Sequence, residues 1–196
     1  MVRTTKAAVF CILCYLIERY NAYESPLKVF AKPKDIKQLF KEVGKTYNVS
    51  AGTGKQGPYL HPRYDFHCGE VTVKTITPTN IIQRRFLYYA KQSWHWLSEN
   101  YTVNIRNSSG SKPRNYADLT TMHGMKTLVA SMHLLWVDNT CALLFNNKTS
   151  DCESWDFTKP QRGGAAPTLC TWLSRVCQKP GFRYFDIQQC YEYYPR

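Results

Sequence analysis

Five of the eight cysteines fall in the block Cys141-x10-Cys152-x17-Cys170-x6-Cys177-x12-Cys190, and no other feature constrains the fold of this chain as tightly. Inside the block, TLCTWLSRVCQK (168–179) predicts a helix. Pro167 stands at its start, Leu169, Trp172, Leu173 and Val176 recur at helical spacing, and Pro180-Gly181 ends it. Cys170 and Cys177 then lie two turns apart on nearly one face, so the helix is pinned twice to what lies beneath it. The β-rich runs that carry Cys141 (TCALLFN) and Cys152 (CESWDFT) are the best matched partners. A helix stapled onto the last strands of an antiparallel sheet is the expected end of the fold.

The remaining cysteines divide by position. Cys11 and Cys14 sit in an opening segment where Arg3 and Lys6 precede the apolar run Ala7 to Ile17, too short to span a bilayer and suited to a signal-peptide core. Residues 1–22 are read as that signal, with cleavage near Ala22, and residues 23–196 as one domain. Its removal leaves six cysteines, with Cys68 the sixth, and 23 basic against 13 acidic residues. An even cysteine count in a secreted, oxidising setting favours disulfides. Zinc is disfavoured because residues 23–196 hold no C-x2-C pair and no H-x3-H cluster, the one C-x2-C step, Cys11 to Cys14, leaving with the signal, and nothing calls for a cofactor.

Between leader and cysteine block the periodicity changes once. DIKQLFKEVG (35–44) predicts a helix of two or three turns with Ile36, Leu39, Phe40 and Val43 on its apolar face, Asp35 in its first turn and Gly44 beyond its end. It closes one end of the fold. From Thr46 onward the chain alternates: TYNVSA, YDFHCGEVTVKTIT, NIIQRRFLYYAK, NYTVNIR, NYADLTT, MKTLVASMHLLWV, TCALLFN and CESWDFT predict eight strands joined by short turns. Short connections favour an antiparallel meander over parallel crossovers. Closing it into a barrel removes the edges, and about eight strands enclose room for one small ligand.

Charge and motifs narrow the function. The full chain carries a formal +12, but no Lys/Arg run is longer than two, which describes a solvated basic surface better than a nucleic-acid site. His61, His67, His95, His123 and His133 have no neighbouring acid or nucleophile in a recognisable motif, and G-x-S-x-G, H-E-x-x-H and phosphate loops are absent. A basic ribonuclease, needing two histidines and a lysine on one phosphate, is the enzyme alternative; the chain is read as a non-enzyme. Sequons occur at Asn48, Asn100, Asn107 and Asn147. Asn107 and Asn147, in expected loops, are the better glycosylation candidates.

These residues carry a resemblance. DNTCALLF, DCESW, LCTWLSRVC and RYFDIQQC resemble the C-terminal half of tick salivary lipocalins, the histamine-binding protein family, and YDFHCGEVTV and DIKQLFKEVGKTY resemble its first cysteine strand and N-terminal helix. The resemblance implies an eight-stranded antiparallel lipocalin barrel, with Cys68 bridged to Cys190, Cys141 to Cys170 and Cys152 to Cys177. It also implies a secreted protein that sequesters a small host inflammatory mediator, with no nucleic acid and no membrane span. A second class stays open: a lipocalin scaffold that inhibits a host protein, such as a complement or immune-cell component.

The resemblance also places a ligand site. The family's amine pattern is a Cys-Asp-aliphatic step, a spacer, a Glu-Leu-Trp step and a later cysteine; here it reads Cys141-Ala142-Leu143, nine residues, Glu153-Ser154-Trp155, then Cys170. Ala142 replaces an aspartate and Met132 falls at another acidic position, while Glu153 and Glu99 match carboxylates. The resemblance turns Phe86 inward and parity along the third strand carries Ile82, Arg84 and Tyr88 with it, while the sixth strand alternates Leu128, Ala130, Met132, Leu134 and Trp136 onto one face. The expected ligand-binding set is Arg84, Phe86, Tyr88, Glu99, Met132, Trp136, Glu153 and Trp155. The cluster Trp94-His95-Trp96 is expected at a strand end near the mouth. With two acids gone and a guanidinium inside, either pairing with Glu153 or Glu99 or forking a ligand carboxylate, the residues lean slightly from an amine toward an anionic, leukotriene-like lipid.

Overall fold

The computed structural model describes residues 25–54 (except 31 and 33), 67–107 (except 78), 115–158, 168–183 and 190. The leader and its cleavage site lie outside the described residues. The alternating runs form eight strands: β1 (Thr46–Gly52), β2 (His67–Thr75), β3 (Asn80–Ala90), β4 (Ser93–Asn107), β5 (Asn115–Thr121), β6 (Leu128–Val137), β7 (Cys141–Asn146) and β8 (Asp151–Asp156). Each pairs antiparallel with the next. β1 pairs with both β8 and β2, which closes the barrel. A two-residue β9 (Phe182–Arg183) lies against Ala51 and Gly52, where β1 has left β2.

Alternation sorts the side chains into two cores. Val49, Val71, Val73, Ile82, Phe86, Tyr101, Leu119, Met132, Leu144 and Trp155 belong to the cluster inside the barrel. Leu143, Phe145, Cys141 and Cys152, one residue out of phase, form a second cluster on its outer wall. Burying each large apolar side chain is worth about 1.5–3 kcal/mol, so a one-residue slip in register would forfeit both cores at once.

α2 (Leu169–Leu173) and the 3-10 turn that continues it (Ser174–Cys177) cover the outer cluster. Disulfides Cys141–Cys170 and Cys152–Cys177 bolt it there, and Cys68–Cys190 ties β2 to the chain's end. The downward face is Cys170, Leu173 and Cys177. Trp172, expected in the apolar stripe, is instead 43% exposed, with the Arg175 guanidinium 4.7 Å over its ring. The bridges, not the apolar spacing, decide which face looks inward. A short α1 (Pro26–Val29), which the sequence had not suggested, adds Leu27 to the same outer cluster.

The N-terminal helix departs from expectation in length. It is one 3-10 stretch, Ile36–Phe40, capped by the Asp35 carboxylate on the Lys37 N–H at 2.9 Å. The Tyr47 hydroxyl donates to the Leu39 carbonyl at 2.7 Å, the acceptor that a continuing α-helix would offer to Val43. Val43 is accordingly exposed. Ile36, Leu39 and Phe40 still enter the inner cluster and seal that end of the barrel.

Candidate functional site

The barrel interior holds a built charge pair. Arg84 on β3 is fully buried and reaches across to Glu153 on β8, which is 4% exposed. Its Nη1 donates to Glu153 Oε2 at 2.9 Å and its Nη2 to Oε1 at 2.5 Å, a two-pronged fork. The Trp155 indole donates to Glu153 Oε2 at 3.1 Å. Two ions in an apolar interior survive only when each compensates the other, and here every oxygen of Glu153 is engaged by protein donors.

The sequence expectations divide around this pair. Arg84, Phe86, Met132, Glu153 and Trp155 come together in the buried interior, and Tyr88 lies further along β3, partly exposed, toward the end opposite the 3-10 helix. Ala142 and Met132, where the family carries acids, are core side chains exposed by 0% and 1%. Of the alternatives open for the Arg84 guanidinium, pairing with Glu153 or Glu99 or forking a ligand carboxylate, the structure shows the pairing with Glu153.

Glu99 lies directly opposite Arg84 in the β3–β4 register and alternates with the inner residues Leu97 and Tyr101. It is half-buried, and among the described residues no side chain holds it. Burial raises the buried Tyr101 phenol above its ordinary value; the Glu99 charge adds to that and the Arg84 charge opposes it. Tyr101 is therefore a neutral hydroxyl beside both charges. Sequence reasoning missed it, although its parity with Glu99 was available. Arg84, Glu153 and Glu99 together give the interior one net negative charge.

Two expectations are corrected. A bulge in the β6–β7 register between Leu134 and Trp136 reverses the parity, so Trp136 packs against the outer cluster while Val137 turns to the inner one. Its indole donates to Asp138 Oδ2 at 3.4 Å and Lys34 lies 5.5 Å over its ring. Leu128, expected on the same apolar face, is 41% exposed. The aromatic cluster also splits: Trp94 and Trp96 pack outside on Cys68, Leu87 and Cys190, with Arg85 over Trp96 at 4.5 Å. Only His95 shares the mouth side, with its ring 5.7 Å from Tyr88.

Beneath α2 lies a carboxyl that the site does not use. Asp156 is buried on β8 and accepts from Ser154 at 3.2 Å and Thr168 at 3.0 Å. Burial, reinforced by the nearby Asp138 charge, outweighs those hydroxyls and raises its pKa above the ordinary 3.8. A raised acid favours the folded state fully below the unfolded value; that contribution is lost as pH rises through the folded value. Asp156→Asn keeps the acceptor oxygen, so chemical denaturation should show the variant more stable than the parent at pH 7, with the gap closing below pH 3.8. Equal stability at both pH values would contradict the assignment.

A closed antiparallel barrel, sealed at one end by a short helix and carrying charged groups in its interior, defines the lipocalin class. The chain belongs to the tick histamine-binding protein family, whose model matches residues 28–192. Among 28 matching chains of solved structures is the AM182 serotonin complex, 15% identical, with a TM-score of 0.47 over 81% of this chain and 94% of that one. No curated protein matches the chain.

Proposed function

We propose that this chain is a secreted lipocalin that sequesters a small cationic host mediator, a histamine- or serotonin-type amine, by occupancy rather than turnover. The observation that carries the reading is the interior charge balance. Arg84 consumes Glu153, and Glu99 remains as the carboxylate facing an incoming ammonium. Tyr88 and Leu97, both partly exposed beside it, offer the ligand's ring an apolar contact. A leukotriene-type carboxylate entering the same space would meet Glu99 and an arginine already paired. Membership of a binding-protein family supports the non-enzymatic reading.

Secretion fits the leader over residues 1–22 and the three bridges. Asn107, exposed at the end of β4, and Asn147, exposed in the β7–β8 turn, fit glycan acceptors, whereas Asn48 is buried in β1.

Calorimetry with histamine, serotonin and leukotriene B4 tests the reading. Glu99→Gln removes the charge and keeps the shape; a lost charged hydrogen bond of about 1.5–3 kcal/mol corresponds to roughly 10- to 100-fold weaker amine binding. Tight leukotriene binding without amine binding, or amine affinity indifferent to Glu99→Gln, would retire the amine site.

A further inference from the structure

We propose that the closed end of the barrel carries a separate polyanion-binding surface, centred on the groove between Lys37 and Arg106 and suited to a linear sulfated polysaccharide. The groove holds about 430 Å³ and is lined by Lys37, Thr79, Asn80, Asn104 and Arg106 together with Val103 and Ile105. Two cations stand beside amides and a hydroxyl, and among the described residues no carboxylate lines it. A sulfated sugar presents sulfates for the cations and hydroxyls for the asparagines, and a guanidinium matches a planar pair of sulfate oxygens as it does a phosphate.

Two acids neighbour these cations, and each is also held by other donors. Asp35 Oδ1 accepts the Lys37 N–H at 2.9 Å and the Asn115 amide at 2.5 Å. Asp118 accepts the Ser131 hydroxyl at 2.6 Å and meets Arg106 only at 3.7 Å, where the arginine side chain is 61% exposed. An exposed pair at that distance contributes little, so Arg106 turns to a sulfate at small cost.

The surface continues past the 3-10 helix. Lys41 and Lys45 line a second groove of about 260 Å³, in which Glu42 and Asp138 are the opposing charges. Asp138 is tied to Thr140 and Cys141 at 2.7 and 3.0 Å. At about 2 Å rise and three residues per turn, Lys37 and Lys41 stand about 8 Å apart along the 3-10 axis and about a third of a turn around it, so a polymer that engages both crosses over the helix from one groove to the other. Among the described residues no aromatic ring lines the Lys37 groove, which disfavours single-stranded nucleic acid, a ligand that stacks its bases.

The test is heparin binding by calorimetry, with every protein carrying Asn107→Gln so that no glycan at that sequon competes for the groove. Lys37→Gln/Arg106→Gln is compared with Lys91→Gln/Lys126→Gln, which removes the same charge from turns at the opposite end. The closed-end pair should weaken heparin at least about tenfold and the mouth pair less than about threefold, with unchanged circular dichroism and amine binding in both. Equal losses in the two doubles would mean that net charge alone attracts heparin, and equal binding of desulfated heparin would remove the sulfate. Binding to phosphatidylserine vesicles but not heparin would assign the face to a lipid surface; each of these results overturns the proposal.

Discussion

Arg84→Met is expected to lower the stability of the barrel by about 3–5 kcal/mol, the usual cost of leaving one partner of a buried ion pair uncompensated. Methionine fills most of the arginine's volume, so the loss reports the stranded Glu153 carboxylate rather than a cavity. Glu153 is buried between β1 and β7, and after the change its remaining donor is the Trp155 indole. The double variant Arg84→Met/Glu153→Met is the decisive comparison. Removing both charges is often neutral or stabilising by about 1–4 kcal/mol, so the double should recover most of what the single loses. Urea unfolding of the four proteins closes the cycle. A single variant within about 1 kcal/mol of the parent, or a double no better than the single, would show that the pair is not held as described.

What the pair does for the site follows from the same energetics. An interior with Glu153 alone would offer an ammonium a fully buried carboxylate; with Arg84 in place, binding there means displacing one cation by another. On the proposed reading the charge that meets an amine is then Glu99, which is only half-buried.

Strand number and strand order were legible because alternation is a local property. The inward face of β3 was not, since Ile81, Leu87 and Tyr89 are as apolar as Ile82, Phe86 and Tyr88, and only with the resemblance, which turns Phe86 inward, could Arg84 be placed inside. Its choice of Glu153 over Glu99 could not, since β3 and β8 face each other only after closure through β1 and β2. Trp136 was misplaced because one bulged residue reverses parity, and a bulge leaves no mark in LLWV. The β3–β4 turn escaped notice for a similar reason. Lys91 and Gln92 take φ of 50° and 64°, left-handed positions that usually announce themselves with asparagine or glycine. β4 therefore starts at Ser93, earlier than its alternation suggested, and carries Trp94 and Trp96 to the outer face.

The other large effect is expected from the bridge that spans the most chain. Cys68 and Cys190 are separated by 122 residues, against 29 and 25 for the two bridges under α2. Loop-closure entropy in the unfolded chain grows with the logarithm of loop length. The long bridge is therefore worth about 4–5 kcal/mol, against about 3–4 for each short one. Packing adds to this, because Cys68 and Cys190 are fully buried with Leu87 beneath Trp94 and Trp96. Alanine is the replacement of choice, since serine would bury hydroxyls in an apolar cluster. Cys68 has φ of 53°, a strain that alanine retains, so Cys68→Ala/Cys190→Ala isolates the bridge. Guanidinium titration should place this variant below Cys152→Ala/Cys177→Ala in stability. It should also raise the m-value, because the released chain exposes more surface when unfolded. A loss no larger than that of the Cys152–Cys177 variant would mean that packing around the sulfurs, and not the length of closed chain, sets what each bridge contributes.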